Sequence, residues 1–157
     1  MQSSEKTQEA DAIRVWFRLL RLETRIRLAV SARLKAIGLS VPQCDVLTTL
    51  TEREGLSQQE LAARLYVTKG NISGLIDRLV SAGLVERREI EGDRRSRSIF
   101  LTEEGRQMAL SGIKAQQSFA IATFGQLESK DLATLETLLI AARDLVRAKT
   151  AGDSITP

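Results

Sequence analysis

Two sets of side chains in this chain can meet an anionic partner. Thr68, Lys69, Asn71, Ser73, Asp77 and Arg78 follow one another along a single stretch, and Arg94, Arg95 and Arg97 crowd beside Asp93 further on. A lysine can take guanine O6/N7 or a phosphate, and an asparagine can pair with adenine or a phosphate. Arginines suit the narrow, negative minor groove of A·T-rich duplex. Asp93, two residues before Arg95, can hold that guanidinium in a fixed fork. The bland alternatives are a solvated helix face for the first set and a charged turn for the second, where Glu89 and Glu91 dilute the charge. Three arginines crowded into four residues argue for an anionic partner. Gly70 and Gly74 add to the first set. Each costs a helix about 1 kcal/mol against alanine, and each lets the backbone approach a phosphate or base edge.

Other chemistry is poorly provided for. The 157 residues contain no histidine, the usual general acid–base, and no Gly-rich phosphate loop, carboxylate pair or nucleophile motif stands out. Cys44 is the only cysteine, so the chain can form no internal disulfide, and a metal site of the usual His/Cys type is nearly excluded. No cofactor is expected, and the chain reads as a non-enzyme. Cys44 itself has two readings. Near the first turn of a helix a thiol can be activated by the helix dipole. Against that, Asp45 is adjacent and no second cysteine can resolve a sulfenic acid, so a small buried hydrophobe is favoured.

Composition allows one domain with a packed core. The hydrophobic fraction is 43% and the aromatic fraction only 4%, so leucine, isoleucine, valine and alanine must build that core. The net charge of +3 makes affinity for nucleic acid a matter of where the charges sit. The start, Met1-Gln2-Ser3-Ser4-Glu5-Lys6, has neither the basic head nor the apolar run of a signal peptide, and the longest uncharged window is too short for a membrane span. A cytoplasmic protein without membrane contact is expected.

The elements that position these residues can be read from pattern. Ile13, Trp16, Phe17 and Leu20 recur at helical steps in a first helix over 9–36, which Gly38 stops. A second helix starts at Pro42 and carries Val46, Leu47 and Leu50. Ser57 and Glu60 form a capping box for a short third helix ending near Leu65. Thr68 is the expected N-cap of a fourth, with Ile72, Leu75, Ile76, Leu79 and Val80 on one face and Gly83 past its end. Strands are expected over 84–89 and 97–101, with Gly92-Asp93 as the turn. Thr102 caps a fifth helix over 103–124, and a sixth spans 129–148.

This order describes a mainly α chain with a small β-hairpin wing: a winged helix-turn-helix lobe at 40–102, helical dimerisation regions at 9–38 and 103–149, and a flexible tail at 150–157. The candidate DNA contacts are Ser57, Gln58, Thr68, Lys69, Asn71, Ser73, Arg78, Arg94, Arg95 and Arg97, with Asp93 positioning the wing. Phe17, Leu20, Leu135, Leu139 and Val146 lie on stripes that a monomer would leave wet, which points to a second copy as partner. Arg14, Arg18, Arg21 and Arg25 share a face of the first helix. With Trp16 or Phe17 as an apolar wall, that face is a candidate anionic-ligand site; the bland reading is a solvated stripe paired with glutamates.

The chain resembles MarR-family transcriptional regulators. The resemblance rests on Val41-Pro42-Gln43, Asp45-Val46-Leu47, Leu56-Ser57-Gln58-Gln59-Glu60-Leu61-Ala62, Val67-Thr68-Lys69-Gly70-Asn71-Ile72-Ser73, Leu75-Ile76-Asp77-Arg78-Leu79, Gly83-Leu84-Val85-Glu86-Arg87, Asp93-Arg94-Arg95-Ser96 and Leu101-Thr102-Glu103-Glu104-Gly105. It implies a homodimer joined by the terminal helices, with fourth helices in successive major grooves of a pseudo-palindromic double-stranded operator. It further implies that Asp93 positions Arg95 and that an effector, often a small phenolic or aromatic carboxylate, binds between the dimer helices and the DNA-binding lobe; a repressor released by such an effector is the expected function, with an activator left open. Cys44 departs from the pattern, standing where the family commonly has an aromatic residue. Two alternatives stay open: an oxidant sensor acting through Cys44, and a winged-helix protein-interaction module without DNA binding.

Overall fold

The computed structural model describes residues 2–90 and 93–153, and the side chains of residues 7–89 and 98–150. Helix α1 (Gln2–Ala36) is followed by α2 (Val41–Glu52), strand β1 (Leu56–Ser57), α3 (Gln58–Leu65) and α4 (Lys69–Ser81). Strands β2 (Val85–Ile90) and β3 (Asp93–Leu101) lead into α5 (Glu103–Thr123), a 3₁₀ turn (Phe124–Gln126) and α6 (Ser129–Asp153). The chain divides into two compact units, one ending at Gln116 and one starting at Gln117. No helix among the described residues is long and apolar enough to cross a membrane.

Local chemistry explains most boundaries. Ser57 accepts from the Glu60 amide while the Glu60 carboxylate accepts from the Ser57 amide, the capping box expected from the spacing. Those bonds from the Ser57 backbone and then its hydroxyl hold the Glu60 carboxyl below its ordinary pKa. Their stabilising effect is present at neutral pH and is lost as pH falls through that lowered value. Ser40 and Gln43 form a second capping box at α2, which the pattern around Pro42 did not reveal. Thr68 caps α4 by accepting from the Asn71 amide.

Several expectations need correction. α1 begins at Gln2 rather than Glu9, because the polar residues before Glu9 extend the backbone ladder without adding apolar periodicity. α6 runs to Asp153, so residues 150–153 of the expected flexible tail are helical; no proline interrupts the ladder there. Residues 91, 92 and 154–157 lie outside the described residues, and with them Gly92 of the expected Gly92-Asp93 turn, while Asp93 already belongs to β3. The hairpin is part of a three-stranded antiparallel sheet in the order β1-β3-β2, with Leu56 opposite Ile99 and Ser57 opposite Ser98. A strand as short as β1 has no alternation to read in sequence. The β2–β3 register shifts between Glu89, which pairs with Arg97, and Ile90, which pairs with Asp93.

The core lies in the first unit and is aliphatic, as composition required. Leu34, Leu47, Leu50, Leu61, Ile72, Ile76, Leu79 and Ile99 are fully buried. α5 joins this core through a tight contact. Thr102 accepts from the Gly105 amide and donates its hydroxyl to the Gly83 carbonyl at 2.6 Å, drawing the start of α5 onto the end of α4. A Cβ on Gly105 would stand 1.8 Å from the Leu84 carbonyl oxygen, which is why a glycine occupies that helical position.

Gly105→Ala is therefore expected to destabilise the protein by about 1–3 kcal/mol through overpacking, despite alanine being the better helix former. Gly74→Ala, whose Cβ meets nothing within 4 Å, is expected to stabilise it by about 1 kcal/mol. Urea unfolding midpoints of the two variants should move in opposite directions.

Candidate nucleic-acid interface

α4 is held by one face. Ile72, Leu75, Ile76 and Leu79 are buried, none more than 5% exposed. With about 100° between successive residues, Gly70, Gly74 and Ser81 fall opposite that face. Ser73 and Asp77 flank this ridge on one side, Asn71 and Arg78 on the other. The polar set read from sequence is thus split by a low glycine ridge. A Cβ on Gly70 or Gly74 would meet nothing within 4 Å, so packing within the chain does not require either glycine. Lys69 and Arg78 are exposed and have no ion-pair partner among the described residues.

A residue that sequence reasoning passed over ties this helix to the wing. Arg87 on β2 reaches Asp77 of α4 with Nη2–Oδ1 at 2.5 Å, and its Nε donates to Oε1 of Gln58 on α3 at 3.4 Å. Arg87 stands opposite Ile99, on the side of the sheet that also carries Val85 and Leu101. An arginine at an inward-facing register position is the signal that could have found it. The pairing engages one carboxylate oxygen of Asp77, which stays largely exposed, and the Gln58 carbonyl. The Ser57 hydroxyl is similarly engaged in its cap, donating to Glu60 at 2.9 Å. On the outer side of the sheet Arg88 pairs with Glu86 and lies 4.5 Å from the centre of the Phe100 ring. The side chains of Asp93, Arg94, Arg95 and Arg97 lie outside the described residues; their backbone forms the first part of β3.

Cys44 is fully buried. Gln116 donates its side-chain amide to Sγ at 3.3 Å, and Gly112 leaves room for the sulfur, since a Cβ there would come within 2.6 Å of it. Burial raises the thiol above its ordinary pKa, Asp45 adds to the rise, and the Gln116 bond only partly opposes it. Its stabilising effect as a neutral thiol is full at neutral pH and is lost as pH rises through that raised value. Burial and Asp45 both act against the activated thiolate that a position near the first turn of a helix would favour.

The basic stripe of α1 is neither wholly paired nor wholly a site. Arg14 pairs with Asp11 at 2.6 Å, while Arg18, Arg21 and Arg25 have no ion-pair partner among the described residues. Phe17, Leu20, Arg21, Thr24 and Arg25 line a shallow groove of about 320 Å³. At about 100° per residue, Trp16 falls on the far side of α1 from the arginines, so it cannot wall that groove. Phe17 and Arg21 are brought together; Trp16, Arg14 and Arg18 are not among the lining residues.

A capped helix offering a polar face, a helix before it and a basic strand pair after it define a winged helix-turn-helix. Comparison with known proteins agrees. Residues 37–96 match the sequence model of the MarR family. The chain is 33% identical over 150 residues to the HTH-type transcriptional regulator TtmR of Methylorubrum extorquens (strain PA1), across 87% of this chain and 74% of that protein. Among solved structures it resembles wild-type MarR from E. coli in its apo form, at 25% identity and a TM-score of 0.70, covering 80% of this chain and 94% of that one. It also resembles CouR from Rhodococcus jostii RHA1 bound to p-coumaroyl-CoA, at 29% identity and a TM-score of 0.69, covering 80% and 88%. The chain belongs to the MarR family. It is a DNA-binding transcriptional regulator, not an enzyme.

Two outcomes follow from this geometry. Arg87 is 22% exposed and Asp77 60%, so solvent screening limits their pairing to no more than about 1 kcal/mol of stability. Arg87→Ala should nevertheless weaken operator binding about tenfold, because fixed geometry between wing and helix sets the affinity. A double-mutant cycle with Asp77→Ala on operator binding should show coupling of at least about 0.5 kcal/mol; additive losses would show that the pair does not position the wing. Native Cys44 should react with a disulfide reagent at pH 7 at least about tenfold more slowly than in the urea-unfolded chain, as expected for a desolvated neutral thiol. A native rate matching the unfolded one would revive oxidant sensing.

Proposed function

We propose that the protein is a homodimeric repressor that binds a pseudo-palindromic operator through α4 and the wing and is released by a small anionic aromatic effector. The outward polar face of α4, with Lys69 and Asn71 near its capped start, carries this reading. Lys69, Asn71, Ser73 and Arg78 contact the major groove, Thr68 and Ser57 hold the helix starts, and Gln58 keeps its amide protons for a phosphate. Arg94, Arg95 and Arg97 reach the minor groove, with Asp93 orienting Arg95.

A second copy is supported by the distribution of apolar surface. The large apolar side chains left open lie on α1, α5, α6 and the turn before α6, apart from Tyr66. The second unit alone carries an open apolar groove of about 790 Å³ lined by Phe124, Leu132, Leu135, Leu139 and Ile140. Monomers rarely leave patches of that kind open. The effector is supported by the groove of Phe17, Arg21 and Arg25, an apolar wall beside two cations, and by the resemblance to a protein bound to p-coumaroyl-CoA. A ligand there acts by preferring a spacing of the two lobes that does not fit the operator.

The test is operator selection from random duplexes, followed by measurement of mass, affinity and ligand response. Light scattering should give twice 17.3 kDa. The selected site should have half-sites about 10 bp apart centre to centre. Lys69→Ala and Asn71→Ala should bind it more weakly. Arg95→Ala should lose at least tenfold in affinity, and the salt slope should fall by about one unit per half-site. Among benzoates, phenolics, cinnamates and their thioesters, at least one should release the DNA, and Arg21→Ala should blunt that response. A monomer, or variants that bind like wild type, would overturn the reading. Selection of no duplex at all, with the wing arginines dispensable, would favour a winged-helix protein-interaction module without DNA binding.

A further inference from the structure

Tyr66 is the one large apolar side chain outside the terminal helices and the turn between them that the described structure leaves open, and it is 96% exposed. It sits in the turn between α3 and α4 with φ 54° and ψ 39°, the only non-glycine residue with positive φ among the described residues. Glycine or asparagine takes that conformation at lower cost, and a bulky residue there marks a position worth explaining. The turn does not need the ring. Its geometry is held by the Tyr66 amide donating to the Ala62 and Ala63 carbonyls, by the Val67 amide donating to Ala62 at 3.0 Å, and by Val67 packing on the core.

The surroundings suit an anion. From Leu61 to Ile76 the chain carries Arg64 and Lys69 and no acidic residue. In a helix-turn-helix the second helix enters the major groove and the first crosses the backbone. The turn joining them therefore runs along the groove wall, where the phosphates are. Tyr66 lies two residues before Thr68, the N-cap of α4.

We propose that Tyr66 is a DNA-contacting residue whose phenol hydroxyl donates to a backbone phosphate oxygen at the edge of each half-site. The contact fixes how deeply α4 sits and carries no base preference, because phosphate contacts position a protein without reading sequence. The proposal rests on α4 being the groove-entering helix.

The test uses the full chain, the selected operator and a random duplex. Tyr66→Phe removes only the hydroxyl. It should weaken binding to both duplexes by at least about fivefold, as loss of a hydrogen bond to a charged acceptor in each protomer requires. The salt slope should stay unchanged because no charge is lost, whereas Lys69→Ala should lower it. Tyr66→Gly relieves the left-handed backbone, so its unfolding midpoint should not fall, yet its DNA affinity should drop at least as far as that of Tyr66→Phe. A purely conformational role predicts wild-type binding by Tyr66→Gly. Wild-type binding by either variant, with Lys69→Ala impaired, overturns the Tyr66 contact alone. Wild-type binding by Lys69→Ala as well overturns the placement of α4 and the contact with it. Unchanged DNA binding by Tyr66→Phe with altered transcription by polymerase overturns the phosphate contact in favour of a protein partner.

Discussion

The burial of one face of α4 governs the rest of the winged helix-turn-helix lobe. Ile72, Leu75, Ile76 and Leu79 lose nearly all contact with water, and each such side chain contributes about 1.5–3 kcal/mol. No polar interaction on the surface of the lobe approaches the sum of these. The exposed ion pair between Arg87 and Asp77 contributes about 1 kcal/mol at most. Apolar burial therefore decides which way α4 faces, and α2, α3 and the sheet serve as the wall it faces. The polar residues point outward because the alternative would strip them of water without partners.

Weak interactions then set what burial leaves free. A helix held by its apolar face can still rock or slide by a fraction of a turn. The caps at Ser57 and Thr68 fix where α3 and α4 begin. Arg87, reaching Asp77 and Gln58 together, links β2 to both helices. Thr102 and Gly105 bring α5 against the end of α4 so closely that only a glycine fits. Each link is small in energy and specific in geometry.

The lobe and the terminal helices are built on opposite terms. The lobe closes over an aliphatic core in which Cys44 is simply one more buried atom set, its thiol kept neutral by desolvation. The terminal helices keep most of their leucines and isoleucines open to solvent, Leu34 at the end of α1 being a buried exception. A residue's type says little about its role across that divide. A leucine at 47 completes a core and a leucine at 139 offers a surface, although both recur at the same helical step.

Much of this was legible along the chain because the signals are local. A capping box needs residues three apart, and Ser57 with Glu60 or Thr68 before its helix declare themselves at that range. Helical period picks out Ile72, Leu75, Ile76 and Leu79, and Gly83 ends the run with φ +72°. The family resemblance through residues 41–106 followed from the same motifs. What escaped were features whose partners lie far along the chain. Strand β1 exists only because β3 comes back beside it, and Arg87 finds its partners 10 and 29 residues away. Trp16 was grouped with the arginines of α1 by closeness in sequence, and the helical turn carried it to the opposite side. The open state of Tyr66 is likewise invisible to pattern, because exposure depends on what the finished fold leaves uncovered. Sequence alone determined the elements, their caps and the residue types that face outward, since these depend on contacts within one turn of helix. The tertiary structure decided the register of the sheet, the clamp at Arg87 and the burial of Cys44, since these depend on which distant surfaces the aliphatic core brings together.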